Sequence, residues 1–375
     1  MQTKPYKSDI IDNTIIDLII AGLDKDSSKT ELAALSLSRH LRKEFLDFSI
    51  RINEIIGAHS NGAVNSVRGK SPIPIDADSH LEMATIIRPE TDKDIKPILN
   101  KLLEERVQGF LNERNNLSVL LNNGIKPSNS LLLIGNPGTG KTMLAKYIAT
   151  ALNKEMAVLD LSTSISSLLG KTGSNLKRVL NYAKNTGSIL LLDEFDAIAK
   201  RRDDLTDLGE IKRVVNVLLM ELEDWPVSSI VIATSNHPEL LDRAIWRRFD
   251  HIFEIGSPES NERIELLTKE LIDFLPNSPK TTRIIELLND FLIGKSANDI
   301  CKYANNVKRR IILKNEDFVS ACLTELSIHL DKKMKGKLCN ASKEKLNITV
   351  RDLAEITGLS SSGVQHHLKK NNINE

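Results

Sequence analysis

Cysteine, aromatic residues and surplus charge are all scarce in this chain. Its 375 residues include three cysteines, two tryptophans, four tyrosines and nine phenylalanines, an aromatic share of 4%. Cys301, Cys322 and Cys339 form no closely spaced pair and leave an odd count, which argues against a disulfide framework and fits reduced thiols in a cytoplasmic protein. So few aromatic rings argue against a base-stacking surface for single strands. Lys and Arg number 51 against 50 Asp and Glu, and a net charge of +1 argues against a chain-wide electrostatic grip on nucleic acid, leaving room only for a local basic patch. The eight histidines form no HExxH and no Cys/His cluster, which excludes an internal metalloprotease and argues against a protein-ligated zinc site. The longest apolar runs, such as Leu131 to Ile134, fall far short of the ~20 residues that span a bilayer, so no membrane partner is expected. The first ten residues, MQTKPYKSDI, are polar and lack the apolar stretch of a signal peptide.

The residues that are present fall into distinct patterns, and the length suits two or three domains. From Ser8 to Ile56 the apolar residues recur at helical spacing: Ile10, Ile11, Ile15, Leu18 and Ile19, then Leu32, Leu35, Leu41 and Phe45. Between Gly57 and Pro74 the composition shifts to Gly, Asn, Ser and Pro, the mark of a linker. A helical region then runs from Ile95 through Leu121. Short apolar runs at Leu131–Ile134, Val158–Leu161, Ile189–Leu192 and Ile230–Ala233 alternate with amphipathic stretches, which predicts βαβ units around a parallel sheet. After Pro258 the pattern is helical at Glu262–Phe274, Thr281–Phe291, Ala297–Leu313 and Asp317–Leu330; a Lys-rich connector, Asp331 to Lys337, leads to a short helical tail. The expected fold is α/β: a parallel sheet sandwiched by helices and followed by an all-α lid. The expected boundaries are an N-terminal helical region (1–56), a linker (57–94), the α/β domain (95–256), the lid (257–335) and the tail (345–375).

Residues 135–142 read GNPGTGKT, preceded by an apolar strand and followed by a helical run. Every fixed position of G-x-x-x-x-G-K-[ST] is met in the strand–turn–helix context the motif needs. Gly138 and Gly140 let backbone N–H groups turn inward around phosphate oxygens, and the next helix points its N-terminal dipole at the anion. Gly135, Asn136, Pro137, Gly138, Thr139, Gly140, Lys141, Thr142 and Met143 are thus the candidate nucleotide-binding residues. Lys141 is expected to reach the β- and γ-phosphates of ATP, and the Thr142 hydroxyl to ligate Mg²⁺.

The run ILLLDEFD (Ile189 to Asp196) ends in carboxylates. Taken alone it is more readily a strand ending in solvated acids. Lying ~50 residues after a phosphate loop, it becomes the metal-and-base element: Asp193 for Mg²⁺, Glu194 to polarise the attacking water. A further strand ends at Asn236, an amide able to hold that water, although an Asn there is also an ordinary turn residue. The next segment, LDRAIWRRFD, carries Arg247 and Arg248, which are either solvated surface residues or the positive charge a phosphoryl-transfer site needs.

Together these motifs resemble the AAA ATPases, a branch of the AAA+ superfamily, over roughly Ile95 to Leu330. The matching stretches are GNPGTGKT (135–142), LLLDEFDAI (190–198), GEIKRVVNVLLMELE (209–223) and IVIATSNHPELLDRAIWRRFD (230–250). The resemblance makes Asn236 the sensor-1 residue and Arg247 and Arg248 the arginine fingers. The short form RRFD is similar to the microtubule-severing and membrane-remodelling branch; His251 stands where a longer form has its final arginine. In the lid, GKSANDICKYA (Gly294 to Ala304) resembles the family's helix start near the adenine: Gly294, Ser296, Asp299 and Ile300 agree, Ala297 and Asn298 depart. Fingers acting on a neighbour's nucleotide imply a homo-oligomeric ring, usually a hexamer.

SSLLGKTGSNLKRVL (Ser166 to Leu180) resembles the family's first pore loop, with Leu168 in place of the usual aromatic that grips a threaded polypeptide. TVRDLAEITGLSSSGVQHHLKK (Thr349 to Lys370) is similar to a helix-turn-helix: Ala354, Gly358 and Val364 occupy the small, turn and core positions, and Ser360 caps the second helix. Such units bind DNA or serve as docking modules. Three functions compete. An ATPase that remodels a protein partner, sometimes a separately encoded protease, is favoured by the lid and the RRFD form. A nucleic-acid-associated ATPase switch rests on the tail alone. A small-molecule P-loop kinase would need neither Asn236, the arginine pair nor the lid, and is rejected.

Overall fold

A computed structural model describes residues 7–24, 27–43, 45–60, 84–89, 96–161, 172–197, 218 and 220–371. These fall into two compact units, one drawn from 1–97, 101–135 and 141–255, the other from 98–100, 136–140 and 256–375.

The first unit is built on a six-stranded sheet: β1 (Thr85–Ile87), β2 (Ser130–Ile134), β3 (Met156–Asp160), β4 (Ile189–Asp193), β5 (Ile230–Ser235) and β6 (His251–Glu254), in the order β1-β3-β4-β5-β2-β6. Five strands are parallel and β1 pairs antiparallel with β3. Every residue of β2 and β5 is buried, as expected of unbroken apolar runs covered by helices on both faces. The register sets Asp160 opposite Asp193 and Ile134 opposite Ser235, so the C-terminal ends of these strands share one edge.

Two strands were not legible in the sequence. β1 lies within the stretch drawn as linker, and three residues at a sheet edge give no periodic signal. β6 reads HIFE, with a polar residue at each end. The linker's first residues, 57–60, complete a helix instead of starting a coil.

Helices α1 (Lys7–Leu23), α2 (Ser27–Leu41) and α3 (Leu46–Ser60) precede the sheet. Leu35 of α2 and Ile56 of α3 share a small core with Leu117 and Val227. Beside it lies a buried ionic group. Glu31 accepts from the Ser228 N–H at 2.9 Å, Arg114 donates to the Val227 carbonyl at 2.6 Å, and Lys154 donates to the carbonyls of Gly187 and Ser228 at 2.7 and 2.9 Å. Burial, and then repulsion from Arg114, push the Lys154 ammonium down to about 7. Among the described residues this unit also holds α4 (Lys101–Asn115), α5 (Leu117–Asn122), α6 (Lys141–Ala151), α7 (Thr172–Thr186) and the short α8 (Arg243–Trp246).

The second unit is helical: α9 (Ser260–Leu271), α10 (Pro279–Phe291), α11 (Ala297–Lys314), α12 (Phe318–Ile328), α13 (Lys332–Leu346), α14 (Val350–Thr357) and α15 (Ser361–Asn371). Ser296 and Asp299 form a capping box at the start of α11. The Lys-rich stretch is no connector: Asp331 caps, and Lys332–Lys337 open, a helix of 15 residues. The Asp331 carboxylate caps it by accepting from the Met334 N–H at 2.7 Å. Leu338 and Leu346 are buried in the lid core, whereas Lys332, Lys333 and Lys337 are exposed. The lysines that looked like a linker are the solvated face of an amphipathic helix. Ile356 of α14 joins the same core, so lid and tail share one hydrophobic interior. No helix among the described residues is long and apolar enough to cross a membrane.

Candidate active site

β2 runs into the Gly-rich loop, and α6 begins at Lys141. The strand is pinned on both sides at its end: the Gly135 N–H donates to Ser235 O, and the Ile255 N–H to Ile134 O. Asn136, Pro137 and Gly138 are exposed, and the buried Thr139 donates its hydroxyl to Asn136 O at 2.9 Å. Gly138 has φ +78 and Gly140 φ +105, conformations that side-chain-bearing residues adopt only with strain. At Gly138 space decides as well. A Cβ there would lie 2.9 Å from Ser296 Oγ, and the Gly138 carbonyl accepts from the Asn298 N–H at 3.0 Å. Ser296 and Asn298 both belong to the lid segment Gly294 to Ala304, Ser296 at a position that agrees with the family pattern and Asn298 at one that departs from it.

Lys141 is buried. Its ammonium donates to Gly135 O at 2.7 Å and to Asn236 Oδ1 at 2.6 Å. Burial holds its pKa below the ordinary lysine value, while the charges of Asp193 and Asp196 pull the other way. Thr142 is half-buried and Met143 exposed on the first turn of α6.

Asp193 ends β4, and Glu194 follows in the left-handed region at φ +54. For a residue with a side chain that conformation costs roughly 1–3 kcal/mol and persists only where neighbours fix it. Thr234 of β5 does so. Its hydroxyl donates to the Asp193 carboxylate and accepts from the Glu194 N–H at 3.2 Å, and its carbonyl accepts from the Phe195 N–H at 2.8 Å. Asp196, itself buried, accepts from the Asn236 N–H at 3.1 Å. Sequence reasoning missed Thr234 and Asp196. Both stand inside motifs already singled out, but only the cross-strand register reveals that they face the acids and the amide.

The arginine pair stands elsewhere. β6 starts opposite Leu131, near the beginning of β2, and the Asp250 carboxylate accepts from the N–H groups of Asn129 and Ser130 at 2.8 and 3.0 Å. Arg247 and Arg248 therefore lie at the N-terminal edge of the strands, about 15 Å of strand away from the loop edge. Arg248 is ion-paired with Glu223, and Arg247 is exposed. The chain brings Lys141, Asp193, Asp196 and Asn236 together and holds Arg247 and Arg248 apart from them. Leu168 and Leu169 lie outside the described residues.

A protein-family model described as "ATPase family associated with various cellular activities (AAA)" matches residues 131–257. An uncharacterized AAA family ATPase of Sinorhizobium fredii is 36% identical over 152 residues, covering 40% of this chain and 46% of that protein. The proteasome-activating nucleotidase of Methanocaldococcus jannaschii is 38% identical over 151 residues, 38% of this chain and 35% of that one. The cell division cycle protein 48 homolog of Archaeoglobus fulgidus is 34% identical over 203 residues, 52% and 27%. The chain thus spans less than half the length of each of these relatives. Among solved structures, the FIGL-1 AAA domain in complex with ADP superposes with a TM-score of 0.51 at 18% identity, covering 78% of this chain and 93% of that one, a likeness of fold.

Proposed function

We propose that this chain, which carries an AAA ATPase domain, hydrolyses Mg²⁺-ATP and works as a homo-oligomeric ring, a hexamer by family resemblance. The observation that carries the reading is the convergence of Lys141, Asn236, Asp193 and Asp196 at the C-terminal edge of the sheet, beside a loop whose glycines have positive φ. Gly135 to Met143 would bind the phosphates: backbone N–H groups take the oxygens, and Lys141 exchanges its contacts with Gly135 O and Asn236 Oδ1 for phosphate oxygens. The donor set suits Mg²⁺, since Thr142 offers a hydroxyl and Asp193 a carboxylate already oriented by Thr234. When bound, the ion neutralises charge on the phosphate oxygens.

Glu194 is the base. It takes a proton from the water that attacks the γ-phosphorus, as the bond from that phosphorus to the bridging oxygen breaks. Asn236 holds that water or the γ-phosphate through its amide. Arg247 and Arg248, remote from their own chain's loop, would serve the nucleotide of a neighbouring subunit.

The work done is remodelling of a protein partner in the cytoplasm. Support comes from relatives of which one is named as proteasome-activating, and a separately encoded protease is one such partner. The deciding experiment compares two variants. Glu194→Gln should bind ATP as the parent does and lose about 10²–10⁴ in turnover; Lys141→Ala should lose binding itself. Hydrolysis by Glu194→Gln at the parental rate would overturn the assignment.

A further inference from the structure

We propose that α15 is a reading helix for duplex DNA, entering the major groove with Ser361, Ser362, Gln365, His366 and Lys369. These five residues are exposed and stand at i, i+1, i+4, i+5 and i+8, one continuous face of the helix. The face holds no carboxylate and no large aliphatic side chain, and SSGVQHHLKKN contains no acidic residue anywhere. Each side chain on it is one that pairs with base edges or phosphates: glutamine bidentate to adenine, serine to either partner, lysine to guanine or a phosphate oxygen. A helix that docks in a protein groove lays an apolar face into it instead. This chain does present such a face, with Ile15, Ile16, Ile19 and Ile20 exposed on α1, and α15 is its opposite in character.

Charge agrees with chemistry. Residues 332–371 carry nine Lys or Arg against three Asp or Glu, whereas the rest of the chain is net negative. The near-neutral total hides a module basic enough to be drawn to a polyanion.

The helix is also held firmly enough to read. Its inward residue Val364 is buried with Leu353 of α14 and Cys339 of α13, and Leu359 and Leu368 pack around them. The His367 ring covers Gly336 so closely that a Cβ there would lie 2.4 Å from Nδ1. Lys335 donates to Thr357 O at 2.9 Å, and Ser327 of α12 donates to Ile356 O at 2.8 Å. Gly358, at φ +68, makes the turn between α14 and α15, and the Ser360 hydroxyl caps α15 by accepting from the Gly363 N–H at 3.1 Å. A short helix, a tight turn and a second helix with a polar outer face is the arrangement in which the second helix lies in the groove.

The test uses the full-length chain without nucleotide, so that an inactive ATPase would leave it standing. Anisotropy of a labelled mixed-sequence duplex of about two helical turns is followed against salt. Affinity should fall linearly on a log–log plot, with a slope near −0.9 per phosphate neutralised. Lys369→Glu and Gln365→Glu should each weaken binding at least about tenfold, with melting temperature and basal ATPase activity unchanged. Gln365→Ala should alter the sequence enriched from a randomised duplex pool. Absence of salt-dependent duplex binding, a preference for single strands, or parental affinity in both charge variants would overturn the proposal. So would loss of a bound protein, and of nothing else, in those variants, which would make α15 a protein-docking helix.

Discussion

The Lys141 ammonium lies 2.6 Å from Asn236 Oδ1, joining residues 95 apart in sequence. One begins the helix after β2 and the other follows β5, and the parallel pairing of those strands brings them to one edge. The Asn236 N–H is in turn held by Asp196. A substrate phosphate reaching Lys141 would therefore disturb a residue tied to the strand that carries the acids.

Thr234 should matter as much as a residue that touches substrate. Its hydroxyl serves Asp193 and Glu194 together, and the isosteric Thr234→Val removes it while keeping the backbone carbonyl that holds Phe195. Turnover and apparent Mg²⁺ affinity should fall about 10–100-fold, with ATP binding retained. Thr234→Ser should recover most of the loss. Parental kinetics in the valine variant would remove Thr234 from the site.

Arg247 and Arg248 lie at the strand edge opposite the loop. Arg248→Ala should bind ATP normally and lose on the order of 10³ in turnover. Mixing it with Lys141→Ala should restore activity, because an intact loop then meets an intact arginine across an interface. Confirmed mixed assemblies that stay inactive would put the arginines outside the reaction.

Lys154 imposes a pH dependence on stability. Its folded pKa of about 7 lies below the unfolded value near 10.4, so between these limits the unfolded chain binds the extra proton. Stability should rise with pH from about 7 to about 10, by at most about 1.4 kcal/mol per unit. Below pH 7 both states are protonated and the penalty is constant. Glu31 and Arg114 face the same group: burial raises the Glu31 carboxyl above its ordinary value and pushes the Arg114 guanidinium down to about 10, the upper edge of this window. In Lys154→Met the rise should vanish from denaturation curves taken across the range. A slope unchanged in the variant would assign it elsewhere.

Lid and tail should unfold as one. Ile356→Ala opens a cavity in a core shared by α9 to α14 and should cost about 2–4 kcal/mol in chemical denaturation. Ending the chain after Asn347 should lower the melting temperature, and at low temperature basal ATP hydrolysis should persist. Parental stability after removal of α14 and α15 would mean that the tail is a separate body.

Much of this was legible because some physics is local. A phosphate loop needs its glycines, lysine and hydroxyl in a fixed short order, so residues 135–142 announce themselves. Buried parallel strands need unbroken apolar runs, so β2 to β5 stood out, each to within two residues. Amphipathic spacing found the lid helices. It failed at α13, where lysines on a solvated face looked like a linker, and at β1 and β6, which are too short to carry a period.

By itself the sequence determined the Gly-rich loop after β2, the acid pair and the parallel α/β core, because those depend on residue types a few positions apart. Only the tertiary structure decided that Thr234 clips the two acids together, that Asp196 holds Asn236, and that the arginines sit at the far edge. It also decided that the tail packs into the lid core with a polar helix face turned outward. Strand register and helix packing join residues distant in sequence, and no spacing rule along the chain encodes which hydroxyl will face which carboxylate.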